Sequence, residues 1–474
     1  MGANEKSSSD LVKVYKYAWD KYTDEELGRV FSFAEGYKAF MSKCKTEREC
    51  VKEFIALAES HGYRNLEEVM ARGERLKPGD KLYANNMGKT LVLFVIGQQP
   101  LEKGMRILGA HIDSPRLDLK QNPLYEDSGL AMLETHYYGG IKKYQWVAIP
   151  LAIHGVVVKK DGTVIDVVIG EKDDDPVVGI SDLLIHLAAE QMEKKLARGI
   201  EGEDLNVCIG SIPLKSDNKD EGERVKKNIL RLLNERYGID EEDLVSAELE
   251  VVPAGHARDY GLDRSMVIAY GQDDRVCAYT SFEALMRVEN PEKTCVALMV
   301  DKEEIGSVGA TGMTSRFFEN TLAEIMNLMG DYSELKMRRA LASSKMLSCD
   351  VSAGFDPNYP SVMEKKNAAY LGKGVTFNKY TGVRGKSGSN DANAEYMAYL
   401  RAIMDKHGVT WQTAELGKVD QGGGGTIAYI LAKYGMDVID CGVPVHSMHA
   451  PWEVTSKADI YEAMRGYYAF LVEV

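Results

Sequence analysis

Short, almost wholly apolar runs constrain the fold of this chain more than any other feature. They occupy residues 91–96, 106–110, 294–300 and 438–443. Runs of this length are typical of central strands in an α/β sheet, where both faces of a strand are buried. Residues 273–288, just before the third run, carry apolar side chains at helical spacing. The alternation predicts an α/β fold with a mixed central sheet flanked by helices.

Both ends of the chain carry helical patterns. In residues 11–19 and 27–41, apolar side chains recur at steps of three and four residues, which predicts two helices. Near the other end, Ser456 with Asp459 three residues later resembles a capping box, and it predicts that the last helix begins there.

The pattern of residue types changes between the second and third apolar runs. Residues 155–159 and 163–169 are rich in β-branched side chains, and the Asp161-Gly162 pair between them predicts a hairpin turn. An amphipathic helix is predicted at 181–198. We therefore expect an inserted β-rich domain at 122–250, which divides the main domain into residues 1–121 and 251–474.

Composition argues against several classes of partner. The chain has 474 residues and a formal net charge of −14, which disfavours nucleic acid because binding to phosphates requires Lys and Arg. No apolar stretch reaches the ~20 residues that a membrane helix requires. Seven scattered cysteines without a CxxC pair indicate neither a disulfide framework nor a thiolate metal site. A cytoplasmic protein is the expectation.

Residues of the types that bind metals follow the predicted strands. The candidates are His111, Asp113, Asp273, Asp274, Asp301, Glu303, Glu304, Asp350, His446 and His449. Each one has an ordinary explanation on its own, such as a helix cap, a solvated charge or a structural histidine. Open α/β sheets bind ligands beyond the carboxyl ends of their strands, so the set as a whole predicts one site.

Nitrogen and carboxylate ligands without thiolate suit catalytic Zn²⁺, with Mn²⁺ or Co²⁺ as alternatives. Two ions bridged by one carboxylate need roughly this inventory, and the water between them becomes a nucleophile near neutral pH. Of the adjacent Glu303 and Glu304, one can hold a metal while the other acts as general base.

Two glycine-rich segments offer a different interpretation. Gly385-Lys386-Ser387 ends as a phosphate-binding loop does, but the motif requires glycine where the chain has Tyr380. The nucleotide hypothesis therefore fails on spacing. Residues 420–426, which include four successive glycines, are a candidate for close backbone approach to a ligand.

Five segments together resemble the aspartyl aminopeptidase family, family M18 of the metallopeptidases. They are residues 109–120, 271–285, 300–312, 349–360 and 447–454. The resemblance covers essentially the whole chain and implies a zinc-exopeptidase fold with two zinc ions per subunit. It also implies roles for seven residues: His111 and Asp350 on one ion, Glu304 and His449 on the other, Asp273 as the bridge, Glu303 as general base, and Asp113 as the carboxylate that orients the site. Met448 and Glu453 fit the pattern around the ligand histidine, which favours His449 over His446.

The resemblance further implies a homo-oligomer, a dodecamer built from dimers through the inserted domain. His186 is the candidate for a histidine that reaches a neighbouring subunit's site, and Lys379, Gly423 and Gly424 are candidates for binding substrate. The implied activity is removal of an N-terminal residue, with Asp or Glu suggested, from peptides. A two-metal amidase or deacylase of acylated amino acids and a noncatalytic scaffold are the alternatives.

Overall fold

The computed structural model describes residues 12–215 and 222–473. Within these residues the α-helices are α1 (Asp24–Lys43), α2 (Glu47–Ser60), α3 (Leu66–Arg72), α4 (Ala189–Met192), α5 (Leu196–Gly199), α6 (Arg224–Tyr237), α7 (Gln272–Met286), α8 (Phe317–Leu328), α9 (Glu334–Ala342), α10 (Ala394–Lys406), α11 (Ala428–Ala432) and α12 (Lys457–Val472). The strands form three sheets.

The largest sheet has nine strands. Taken in chain order, these strands are β1 (Arg64–Asn65), β2 (Lys81–Asn86), β3 (Thr90–Val95), β4 (Arg106–His111), β13 (Cys295–Val300), β14 (Lys345–Ser348), β16 (Val375–Asn378), β17 (Trp411–Thr413) and β18 (Asp437–Gly442). Their order across the sheet is β1-β2-β3-β13-β4-β14-β18-β16-β17. Strands β13, β4, β14 and β18 are parallel, whereas β3 and β16 pair antiparallel to their inner neighbours.

Both faces of this sheet are buried, as the apolar runs require. Leu108 packs in one hydrophobic core and the adjacent Ile107 in another, because successive side chains of a strand point to opposite faces. Helices α7 and α12 supply side chains to the core that contains Leu108. The predicted α/β fold with a mixed sheet is confirmed.

The second sheet has six antiparallel strands and its own core. In chain order they are β5 (Arg116–Asp127), β6 (Leu130–Tyr138), β7 (Leu151–Val158), β8 (Val164–Ile169), β9 (Val207–Gly210) and β10 (Ala247–Pro253). Strands β7 and β8 form the predicted hairpin around Asp161-Gly162. Trp146 is fully buried in the core of this sheet. The exact boundaries of an inserted domain at 122 and 250 stay a prediction.

The third sheet has five strands. Its strands are β11 (Arg258–Tyr260), β12 (Met266–Ala269), β15 (Ser352–Ala353), β19 (Pro444–His446) and β20 (Glu453–Ser456). Strand β12 leads directly into α7, and it pairs with β20, which follows the loop that contains His449. Within the described residues, no helix combines the length and the apolar character needed to cross a membrane.

The helix predicted at 11–19 is wrong for the part that the structure describes, and Leu11 lies outside the described residues. Val12 and Val14 are exposed, and the segment is irregular up to a short 3₁₀ turn at Trp19–Lys21. The Tyr15 hydroxyl lies 2.9 Å from the Thr413 hydroxyl, so tertiary contacts hold this segment in an irregular path.

The single helix predicted at 181–198 is also wrong. This segment contains a 3₁₀ turn at Ile185–Leu187 followed by the one-turn helices α4 and α5. Leu184 and Leu187 are exposed. Most helical stability in proteins comes from packing of an apolar face. The described residues do not cover the apolar side chains of this segment.

The capping box predicted at Ser456 is wrong, although α12 does begin there. The Ser456 side chain makes no capping hydrogen bond. Asp459 instead accepts the backbone N–H groups of Gly372 and Gly374, both at 2.7 Å. Its carboxylate therefore ties α12 to a distant loop rather than to its own first turn.

Candidate active site

Three neighbouring parallel strands deliver side chains to one edge of the nine-stranded sheet. His111 is the last residue of β4 and is paired with Val300, the last residue of β13. Glu303 and Glu304 follow β13, and Asp350 follows β14 on the other side of β4. The carboxyl ends of parallel strands meet at a common edge, which is why residues far apart in sequence converge here.

The five-stranded sheet supplies the remaining members of the cluster. Asp273 lies at the start of α7, and His449 lies in the loop between β19 and β20. The two carboxylate oxygens of Glu453 accept the backbone N–H groups of Asp273 at 3.0 Å and of His449 at 2.8 Å. Glu453 therefore holds both residues in a fixed relation to each other.

Asp273 lies between the two histidines. Its Oδ1 atom is 3.1 Å from Nε2 of His111, and its Oδ2 atom is 3.2 Å from Nε2 of His449. Burial alone would raise the pKa of Asp273, but hydrogen bonds to the two imidazoles hold it below its ordinary value. Each oxygen of this carboxylate is thus directed toward the imidazole nitrogen of a different histidine.

Ligand atoms within 4.8 Å of one another form three groups in the described residues. The groups are His111 with Asp273 and Asp350, Asp273 with Glu304 and His449, and His111 with Glu303 and Glu304. The first two share Asp273. Oε1 of Glu304 is buried and has no hydrogen-bond partner among the described residues. An orphaned carboxylate oxygen beside nitrogen and carboxylate donors fits a zinc site.

Asp113 contacts the cluster on the Nδ1 side of His111. Its Oδ1 lies 3.3 Å from Nδ1 of His111, and its two oxygens accept the backbone N–H groups of Glu303 and Glu304, each at 3.1 Å. The Tyr138 hydroxyl donates a further hydrogen bond of 2.8 Å to Oδ2. Although burial opposes it, the contacts with His111 and Tyr138 lower the pKa of Asp113 below its usual value.

The two glutamates are crowded by other carboxylates. Burial, with Asp273 and Asp113 nearby, raises the pKa of Glu303 to about 7. Burial beside Asp273 likewise raises the pKa of Glu304 well above its ordinary value. Oε2 of Glu303 lies 3.8 Å from Nε2 of His111, at the edge of the cluster. So many buried carboxylates in one place are stable as anions only with cations between them.

Asp274 and His446 do not share the geometry of their neighbours. Asp274 is fully buried, and its Oδ2 accepts the backbone N–H of His111 at 3.3 Å. Nε2 of His446 lies 2.9 Å from the carbonyl oxygen of Phe355. In both sequence pairs it is therefore the residue preferred by the resemblance, Asp273 or His449, that lies in the cluster.

A cavity of about 510 Å³ opens beside the cluster. Its walls are formed by Gly140, Asp273, Glu303, Glu304, Gly306, Ser307, Asp350, Val351, Leu416, Gly424, Gly425, Thr426, Tyr429, Met448 and His449. The residues of the cluster are thus accessible to a small molecule or to the end of a peptide.

The candidate substrate residues are placed differently. Gly424 lines the cavity, while Gly423 lines a separate depression of about 220 Å³ beside it. Lys379 is half exposed, with its Nζ 3.7 Å from Oδ1 of Asp391, and it is not part of the cavity wall. His186 is exposed on the 3₁₀ turn near α4. Roles for these residues stay predictions.

The structure also brings in residues that no motif indicated. Tyr138 belongs to the six-stranded sheet, and the carbonyl oxygen of Gly140 lies 2.9 Å from Nδ1 of His449. Neither has a sequence signal, because a strand tyrosine and a loop glycine are ordinary. Lys386 of the candidate phosphate loop lies 3.1 Å from the Asp391 carboxylate, so its charge is paired within the chain.

Comparisons with known proteins agree with this geometry. A family model described as "Aminopeptidase I zinc metalloprotease (M18)" matches residues 40–471. A curated protein of Clostridium acetobutylicum, "Probable M18 family aminopeptidase 1", is 69% identical over 98% of this chain and 99% of its own length. One of the same description from Thermotoga maritima is 47% identical over 95% of this chain and 97% of its own.

Solved structures give the same result. Aminopeptidase I from Clostridium acetobutylicum superposes with a TM-score of 0.91 at 65% identity, covering 98% of this chain and 100% of that one. An M18 family aminopeptidase from Thermotoga maritima superposes with a TM-score of 0.92 at 46% identity, with the same coverage. The chain therefore belongs to the M18 family of zinc metallopeptidases and is an aminopeptidase.

Proposed function

We propose that the chain removes the N-terminal residue of peptides at a site for two zinc ions. The position of Asp273 between His111 and His449 carries this proposal. His111 and Asp350 would hold one ion, and Glu304 and His449 the other. Asp273 would contribute one oxygen to each.

Zinc supplies an acidified water and polarises the scissile carbonyl when it is bound. Glu303 is the residue placed to move protons. Its carboxylate lies at the edge of the cluster, lines the cavity, and has a pKa raised to about 7 by burial. A base with a pKa near the working pH can accept the proton of the attacking water and pass it to the leaving amine.

Asp113 has a positioning role in this proposal. It lies on the Nδ1 side of His111, so it favours the tautomer that leaves Nε2 free for a cation. Because the same carboxylate accepts the N–H groups of Glu303 and Glu304, it also fixes the short turn that carries the base and a ligand.

We propose that the preferred N-terminal residue is neutral, in place of the Asp or Glu that the resemblance suggests. Lys and Arg are absent from the cavity wall in the part of the chain that the structure describes. Val351, Leu416, Tyr429 and Met448 provide apolar surface there. A buried acidic side chain needs a paired cation, whereas a neutral side chain gains from apolar contact.

A panel of aminoacyl-anilides tests the preference. We expect kcat/KM for leucyl and methionyl substrates to exceed that for aspartyl and glutamyl substrates. The opposite order would support the acidic preference. The cation that pairs with the acidic side chain would then lie outside the described cavity wall, for example on another subunit. N-acylated amino acids belong in the same panel, because their hydrolysis would support a deacylase instead.

Metal removal tests the activity itself. Activity should disappear after chelation and return when Zn²⁺, Mn²⁺ or Co²⁺ is added. Full peptide hydrolysis by a preparation shown to be metal-free would overturn the two-metal proposal. Tight zinc binding without hydrolysis of any peptide or acylated substrate would favour a noncatalytic scaffold.

We further propose that the chain forms a homo-oligomer in the cytoplasm. The apolar side chains exposed between Leu183 and Leu196 support the first part, because soluble proteins rarely leave contiguous apolar surface uncovered. All seven cysteines are free thiols and six are buried, which is consistent with a reducing compartment. A dodecamer built from dimers is the specific expectation.

A further inference from the structure

A hydrogen bond from the six-stranded sheet reaches the site. Tyr138 is the last residue of β6 in the six-stranded sheet, and its hydroxyl donates to Oδ2 of Asp113 at 2.8 Å. The side chain is buried. The sheet that carries none of the candidate ligands therefore contacts the carboxylate on which the site depends.

Arg116 packs against the ring of Tyr138. The two residues are direct partners in the antiparallel pairing of β5 with β6, so their side chains lie on the same face. The guanidinium carbon of Arg116 is 3.8 Å from the ring centroid of Tyr138. A cation stacked on an aromatic ring at this distance restricts the orientation of the ring.

Arg116 is in turn held by carboxylates from separate elements. Its guanidinium lies 3.3 Å from Oε2 of Glu47 at the start of α2 and 3.2 Å from Oε2 of Glu250 on β10. Asp118 on the same strand accepts a hydrogen bond of 2.7 Å from its Nε. Arg116 is buried, so these contacts are poorly screened, and α2 and the six-stranded sheet together restrain its position.

We infer that Tyr138 and Arg116 are positioning residues, through which the six-stranded sheet orients Asp113 for metal binding and turnover. This inference rests on the proposed function. Asp113 contacts His111 and the N–H groups of Glu303 and Glu304, so a rotation of its carboxylate would move a ligand nitrogen, a base and a second ligand together. The Tyr138 hydroxyl limits that rotation.

The substitution Tyr138→Phe tests the positioning role without creating a cavity. The ring that Arg116 contacts is kept, and only the hydroxyl that donates to Asp113 is lost. We expect zinc affinity, measured by competition with a chromophoric chelator, to fall about tenfold, the lower end of the range for a hydrogen bond to a charged group. We expect kcat to fall by a similar factor with little change in KM, because Tyr138 is not among the residues that line the cavity.

Tyr137→Phe is the matched control. Tyr137 precedes Tyr138 on β6, points to the opposite face, and is exposed. It should leave zinc affinity and kcat unchanged. The melting temperature of each metal-stripped protein is measured in parallel, and zinc affinity is compared at a temperature where all of them are folded, so that a general loss of stability is distinguished from a loss of positioning.

A double-mutant cycle tests whether Tyr138 acts through Asp113. In an Asp113→Asn background, Tyr138→Phe should lower zinc affinity by much less than in the wild type, because the carboxylate it orients is gone. Arg116→Lys should lower zinc affinity in the same direction as Tyr138→Phe, and the two changes together should be less than additive. Fully additive effects in either cycle would overturn the inference.

The possible failures are distinct. If the wild-type chain neither binds zinc nor hydrolyses peptides, the proposed function is wrong. If the wild type does both and Tyr138→Phe matches it in zinc affinity and kcat, only the positioning role of Tyr138 and Arg116 is wrong.

Discussion

Oδ1 of Asp113 lies 3.3 Å from Nδ1 of His111, on the side of the imidazole opposite the rest of the cluster. Nε2 of the same ring lies 3.1 Å from Oδ1 of Asp273. Nδ1 also lies 3.0 Å from the backbone carbonyl oxygen of Asp113, so the main chain and the side chain of Asp113 together determine which ring nitrogen carries hydrogen. This arrangement leads to the first prediction.

Asp113→Asn should weaken zinc affinity by about 10- to 100-fold, the usual effect of removing a carboxylate that orients a ligand histidine. The amide keeps the shape of the side chain and the backbone carbonyl near Nδ1, but it loses the negative charge beside His111 and one of the two oxygens that accept the N–H groups of Glu303 and Glu304. Chelator competition measures the change. Wild-type affinity in a folded Asp113→Asn protein would show that this carboxylate does not orient the ligand.

Glu303→Gln should lower kcat by a factor of ~10²–10⁴, the contribution of a general base. Glutamine keeps the size of the side chain but cannot accept the proton. Metal content, measured by elemental analysis, should stay near that of the wild type. A variant that turns over at the wild-type rate would remove Glu303 from the proton-transfer role.

Glu304→Gln should give the complementary result, because a neutral amide would replace a charged ligand beside His449 and Asp273. We expect lower zinc occupancy, with activity partly restored by excess zinc. Elemental analysis together with kinetics decides between the two glutamates. If Glu303→Gln loses metal while Glu304→Gln keeps it and loses turnover, the two roles are reversed.

His154 predicts a pH-dependent contribution to stability away from the site. Its Nδ1 lies 2.8 Å from Glu49 on α2, and its Nε2 lies 3.0 Å from Glu171, which also accepts a hydrogen bond from Lys45. Glu250 is its neighbour on β10. Burial favours the neutral ring, but the hydrogen bonds to Glu171 and Glu49 outweigh it and raise the pKa of His154 above 6.5.

A raised pKa in the folded state means that the charged ring stabilises the fold fully below the unfolded pKa. That stabilisation is lost as the pH rises through the folded value. At pH 6, His154→Gln should therefore cost roughly 1.5–3 kcal/mol of unfolding free energy, the range for hydrogen bonds to charged groups. The difference from wild type should shrink at higher pH. Denaturant unfolding from pH 6 to 9 measures it, with the exposed His136→Gln as control. A difference that grows with pH would contradict the predicted charge.

The exposed apolar segment near α4 predicts an effect on assembly. Leu184 and Leu187 are 57% and 71% exposed in the single chain. Replacing both with aspartate should lower the mass measured by light scattering, because charged groups disfavour a buried interface. Leu262→Asp, in a turn between β11 and β12, is the control. An unchanged mass, or a monomeric wild type, would place no interface here.

Much of the catalytic centre could be predicted from the order of residues in the chain. The apolar runs at 106–110 and 294–300 indicated β4 and β13, and the candidate residues His111 and Glu303 follow those two strands. Parallel strands share one carboxyl edge, so a sequence that places His111, Glu303 and Asp350 after such strands already places them together. The type of ligand likewise indicated zinc rather than a thiolate site.

Periodicity failed where packing was decisive. Residues 12–19 and 181–198 have apolar residues at helical spacing, but the described chain gives neither segment the apolar surface that would stabilise a long helix. Ser456 and Asp459 have the spacing of a capping box, yet Asp459 accepts the N–H groups of Gly372 and Gly374 instead. A local pattern cannot exclude a distant partner.

The sequence by itself determined the strands and the kinds of ligand at their ends, because both depend on neighbouring residues. The tertiary structure alone decided that Glu453 accepts the N–H groups of Asp273 and His449 and that Tyr138 reaches Asp113. These contacts join residues that are far apart in the chain or that belong to different sheets. Their geometry arises only when the sheets pack, so no periodicity or motif within one segment encodes it.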